Sequence, residues 1–112
     1  GIVNSVNESS EVSLYQILKK VTENASLTAS EEKIAENYAL QTVWIFENDF
    51  IQYKAGLIDE NVWLAKLASV RGIASMCHTR DAVEYLLQFT TAELGNLVDV
   101  PPKSTCKEKV IN

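Results

Sequence analysis

The residue types best able to do chemistry are gathered at Glu47, Asn48, Asp49 and Gln52, inside an otherwise apolar stretch. Two carboxylates in proximity can share acid–base work or hold a cation. On a helix, however, Glu47 and Asp49 project about 200° apart and cannot converge on one substrate atom. Asn48 and Gln52 are four apart and share a face. The reading favoured by this spacing is structural: some of the four groups are solvated, and others form a buried hydrogen-bond network that fixes the packing of the next helix. In that case at least one of the Asn48 and Gln52 side-chain amides is expected to be buried and bonded to backbone or to residues near Asp59 and Trp63.

The other reactive types are sparse. His78 is the only histidine and adjoins Cys77. A Cys/His nucleophile pair needs facing side chains, whereas neighbours on a helix diverge by about 100°. His78 falls at a helix boundary, where a capping or surface role is expected. Tyr15, Tyr38, Tyr53, Tyr85, Trp44 and Trp63 could line a pocket, but at helical spacing they read as core. No glycine-rich phosphate loop, metal-ligand constellation or nucleophile motif is present, so no cofactor or metal is expected.

The elements that position these residues are helical. A first helix is expected over about 13–24, with Leu14, Ile17, Leu18 and Val21 on one face. Thr28-Ala29-Ser30-Glu31 fits a capping box, and the pattern then runs unbroken to Ala55, where Gly56 supplies a left-handed residue. Ala35, Ala39, Val43, Phe46, Phe50 and Tyr53 form a stripe; Leu40, Trp44, Ile51 and Ala55 widen it, predicting a helix apolar nearly all round and central to the bundle. Asp59 is the expected N-cap of a third helix over 60–76, with Ile58 and Trp63 as a hydrophobic staple and Trp63, Leu67, Val70 and Ala74 facing the core. Gly72 within it suggests close approach of another helix. Thr79 is expected to cap a fourth helix over 80–89 that buries Val83, Leu86 and Leu87. Thr90, in a capping box with Glu93, starts a last turn or two through Val98. The fold class is all-α: an antiparallel bundle of four to five helices with a long central helix at about 29–55. Residues 1–12 read as a flexible leader, 13–99 as the helical domain and 100–112, opening on Pro101-Pro102, as a polar tail.

Composition sets outer limits. The chain has 112 residues, 46% hydrophobic and 22% charged, an ordinary single globular domain. Ten basic and fifteen acidic side chains give a net charge of −5, which disfavours nucleic acid and anionic lipid. The acid is concentrated in the body: residues 1–100 carry seven basic and fourteen acidic groups, and residues 101–112 carry three and one. Cys77 and Cys106 are too few for a disulfide framework. With Cys106 in a tail, free thiols and a reducing compartment are the expectation, although one disulfide remains open. No apolar run approaches the ~18 residues needed to cross a bilayer. Because the chain begins with Gly1, the reading is a processed or truncated product with an upstream segment removed.

The run from Glu47-Asn48 through Gln52-Tyr53, Gly56-Leu57, Asp59-Glu60 and Trp63 resembles a group of uncharacterised bacterial proteins. These have one N-terminal membrane helix followed by a small all-helical domain. Ser26-Leu27-Thr28 with Glu31 is similar to that group's helix start, and the resemblance spans roughly residues 26–80. It departs at His78-Thr79-Arg80-Asp81-Ala82-Val83, where members often carry a Pro-Gly turn and paired tryptophans. The resemblance implies a membrane anchor upstream and no reaction. Its motif positions Glu47, Asn48, Gln52, Tyr53, Gly56, Leu57, Asp59 and Trp63 are expected to be structural.

Three functions are compatible with this sequence. The leading one is a non-enzymatic interaction or structural domain, tethered to the bacterial inner membrane with its soluble part in the cytoplasm. It would have an unidentified protein partner, with homo-oligomerisation open. The second is a soluble acidic protein that regulates or neutralises a basic partner. The third, a small hydrolase or ligand-binding enzyme using Glu47 or Asp49, requires a cavity bordered by those carboxylates.

Overall fold

The computed structural model describes residues 14–106, and the expected leader lies outside them. The described chain is an all-α bundle: α1 over 14–23, α2 (Ala29–Lys54), α3 (Glu60–Ser75), α4 (Arg80–Leu87) and α5 (Ala92–Val98), followed by a single 3₁₀ turn at Lys103–Thr105.

The long α2 starts where its capping box requires. Glu31 N–H donates to Thr28 Oγ1 at 3.1 Å, and Thr28 N–H donates to Glu31 Oε1 at 3.0 Å. It stops at a Schellman turn: Gly56 N–H donates to the Tyr53 carbonyl and Leu57 N–H to the Gln52 carbonyl, with Gly56 at φ +79°. Asp59 occupies the N-cap of α3 but makes no side-chain capping bond. The last helix starts one residue later than its capping box suggests. Thr91, not Thr90, accepts from the Leu94 N–H at 3.3 Å, while the Thr90 hydroxyl donates to the Leu87 carbonyl.

The main core is the α2 stripe Ala39, Val43, Phe46 and Phe50 against Trp63, Leu67, Val70, Ile73 and Ala74 of α3, closed by Val83, Leu94 and Val98. At its centre the Trp63 ring stacks on Phe46 at 4.8 Å and on Tyr53 at 4.9 Å between centroids. Ile58 packs on this cluster, as a staple partner of Trp63 should. A second, smaller cluster joins Ile17 and Val21 of α1 to Ala35, with Leu27 and Met76 at its edge.

Several expectations are corrected. The widening stripe of α2 is not core: Trp44 is 70% exposed, and Ile51 and Ala55 also face solvent, because α3 and α4 cover only one side of α2. A Cβ on Gly72 would meet nothing within 4 Å among the described residues, so none of the described helices approaches there. Thr79 precedes α4 without capping it. Its buried hydroxyl donates backwards to the Ile73 carbonyl at 2.6 Å, closing the α3–α4 turn. His78 is a buried residue, not a surface one. Its Nε2 lies 2.6 Å from the Ala25 carbonyl and ties the α1–α2 loop to the α3–α4 turn, while the buried Nδ1 has no hydrogen-bond partner among the described residues.

The segment 100–106, expected as part of a polar tail, is fastened to the bundle. The side chain of Arg80, 4% exposed, donates from Nε to the Pro101 carbonyl and pairs with Asp81 and Glu84. This brings the Cys106 Cα to 5.5 Å from that of Cys77, and the two cysteines form a disulfide instead of standing free.

Candidate functional site

The structure separates the polar residues of α2. Asp49 pairs with Lys66 of α3 at 3.1 Å, beside a shallow cavity formed with Tyr38, Thr42 and Ser69. Glu47 points to the other side of α2. The two carboxylates therefore face different neighbours and share no site. The buried amide network is absent too. Asn48 and Gln52 are both exposed, and Asn48 Nδ2 reaches only its own helix, 3.5 Å from the Trp44 carbonyl. The physical reason is the angular position of 48 and 52, which is turned away from α3 and α4. Among the remaining motif positions, Tyr53 and Trp63 stack in the core, Gly56 makes the turn, and Leu57 and Asp59 lie exposed on the α2–α3 connection.

Nucleophilic chemistry at Cys77 and His78 has no thiolate, since Cys77 is in the disulfide. Among the described residues, no group of three His, Cys, Asp or Glu side chains is placed to hold a metal ion.

What the structure does assemble is a groove on the uncovered side of α2. It encloses about 510 Å³, with Leu40 and Val43 of α2 and Leu86 of α4 as its apolar base, and Trp44 and Phe89 as its walls. Both walls are 70% exposed. They stand where they do because α4 has only eight residues against the twenty-six of α2, so among the described residues the outer face of α2 runs on without a covering helix. Asn37, Gln41 and Thr90 supply a polar rim, and Glu47 supplies the single charge of the lining among the described residues. Glu47 is half-buried and has no hydrogen-bond or ion-pair partner among the described residues.

Sequence reasoning finds Glu47 but misses the groove, because it assigns Leu40 and Trp44 to the core. The signal was present in the width of the α2 stripe, which exceeds what one or two short neighbours can cover. No family model, curated protein or solved structure matches this chain.

Elsewhere, Arg80 holds Asp81 and Glu84 at the start of α4. Burial pushes the Asp81 carboxyl upward, but the Arg80 hydrogen bond and the charge of Lys103 outweigh it and leave its pKa below the ordinary value. Glu31 is lowered by the Thr28 backbone N–H of the capping box and by Lys20 at 2.9 Å. Both groups serve the ends of helices and lie outside the groove lining.

Proposed function

We propose that this chain is a non-enzymatic interaction domain whose binding surface is the α2–α4 groove. The observation that carries the reading is the pair of exposed aromatic walls, Trp44 and Phe89, flanking an apolar hollow of ligand-site size. Aromatic side chains of this kind are enriched at protein interfaces, where they bury large area at small entropic cost. The enzymatic alternative has less support, because Asp49 is bonded to Lys66 and Glu47 stands in the groove without a second catalytic group.

The tether to a bacterial inner membrane rests on the resemblance carried by Glu47 through Trp63. Among the described residues no helix is long and apolar enough to cross a membrane. The Cys77–Cys106 disulfide supports placing the domain in an oxidising compartment, and so on the outer side of that membrane instead of in the cytoplasm.

Photo-crosslinking tests the reading. p-Benzoylphenylalanine replaces Trp44 in one sample and the exposed Lys19 of α1 in another. A discrete protein adduct from position 44, absent from position 19 and lost with Phe89→Ser, is the expected result. No adduct from position 44, or equal adducts from both positions, overturns the interaction reading.

A further inference from the structure

We propose that the occupant of the groove is one amphipathic, basic helix of a partner protein. This inference rests on the interaction reading above and adds the chemistry of the partner. The shape comes first. A hollow lined over three turns of α2, from Asn37 to Glu47, and by the end of a short helix suits the helix-in-groove mode, in which apolar residues at i, i+3 or i+4 and i+7 fill the floor. Leu40, Val43 and Leu86 form such a floor, with Trp44 and Phe89 available to clasp the incoming helix.

Charge then selects among apolar occupants. Among the described residues Glu47 is the only charged one of the lining, is already half-buried, and lacks a partner. A purely apolar cover would complete its desolvation without compensation, which is unfavourable. A Lys or Arg placed among the anchors meets the carboxylate and removes that penalty. The overall charge acts in the same sense: a chain of net −5 attracts a basic partner and repels an acidic one. A second copy of this chain brings the same negative balance. An anionic lipid surface is repelled for the same reason.

Trp44 makes the proposal measurable, since it is exposed in the groove while Trp63 is already buried. Three probes are added to the protein: an eighteen-residue amphipathic Leu/Lys peptide, its Leu/Glu counterpart, and phosphatidylcholine vesicles. The expected result is a blue shift of tryptophan emission with the Leu/Lys peptide alone. Glu47→Gln should weaken binding about fivefold, the scale of one exposed to half-buried ion pair. Phe89→Ser should abolish it, and circular dichroism checks that this surface variant keeps its helices. Glu47→Arg should transfer the preference to the Leu/Glu peptide.

Equal binding of both peptides, a shift with vesicles only, or Leu/Lys binding indifferent to both Glu47→Gln and Phe89→Ser overturns the proposal. So does self-association in sedimentation that Phe89→Ser removes, because a second copy is then the occupant. A silent peptide titration alongside an intact position-44 adduct rejects the basic helix while leaving the interaction reading standing. Loss of both signals removes both.

Discussion

Arg80 Nε donates to the Pro101 carbonyl at 2.6 Å, joining two segments twenty-one residues apart. The same guanidinium meets Asp81 at 2.8 Å and Glu84 at 2.7 Å, so its planar fork is shared between a backbone acceptor and two carboxylates. A nearly buried cation is thereby fully engaged, and residues beyond α5 gain a fixed path back to α4. Arg80→Ala should destabilise by about 2 kcal/mol, since charge-assisted hydrogen bonds are lost and the Pro101 carbonyl is left without its donor. Arg80→Lys should recover less than half, because an ammonium cannot reproduce the fork. Urea unfolding measures both; two variants as stable as the parent would remove this anchor from the account.

Asp81 gives the anchor a pH signature. Its folded pKa lies below the ordinary 3.8, despite burial, because Arg80 and Lys103 favour the carboxylate. A lowered folded value means that the charged form supports the fold. The contribution is fully present above 3.8 and is lost as pH falls through the lower folded value. Lys103→Ala should move the Asp81 pKa upward toward its ordinary value in a carbon-13 NMR titration. A downward movement would contradict the assigned cause.

The disulfide closes a loop with a sequence separation of 29. Restricting an unfolded chain by a loop of that size is worth about 3–4 kcal/mol in the chain-entropy treatment. Cys77→Ser with Cys106→Ser should therefore lower the urea midpoint clearly. The stacked centre of Phe46, Trp63 and Tyr53 lies away from the bridge, so near-ultraviolet circular dichroism should keep its aromatic bands. A double mutant with an unchanged midpoint would argue against the bridge in solution.

How far these features were legible in the sequence depends on their range along the chain. The Thr28–Glu31 box, the Gly56 stop and the 3.6-residue stripe from Ala35 to Phe50 are local, and their residues announce them. Trp44 and Ile51 are different: their apolar character is visible, but whether a neighbour covers them depends on the eight-residue length of α4 and on where it lands. Arg80 and Cys106 were illegible for the same reason. A Pro-Pro segment reads as an exit from the fold, and only the three-dimensional return at Pro101 turns it into a strap. Glu47 sat in view all along, yet its lack of a partner is a statement about neighbours that no one-dimensional pattern contains.

Gly56 separates conformational cost from steric cost. Its φ is +79°, and a Cβ built there would meet nothing within 4 Å among the described residues. Space is available, so any penalty comes from the left-handed backbone alone. Gly56→Val should destabilise by more than about 1 kcal/mol, and Gly56→Asn by distinctly less, because asparagine tolerates that region. Equal melting temperatures for the Val variant and the parent would remove the C-cap argument.

Asn48 and Gln52 provide the sharpest contrast between pattern and structure. Set in an apolar run and four residues apart, they look like a buried amide pair whose loss would strand its partners. Both are exposed, and the single contact of Asn48, at 3.5 Å to the Trp44 carbonyl, is at the limit of a hydrogen bond. Replacing either with Ala removes no buried donor or acceptor, and Ala is the better helix former at a solvent position. Asn48→Ala and Gln52→Ala should therefore remain within about 0.5 kcal/mol of the parent or become slightly more stable. Neither residue lines the groove, so peptide binding should also be unchanged. A loss of 1 kcal/mol or more in urea unfolding would place these amides in contacts that the bundle, as described, does not contain.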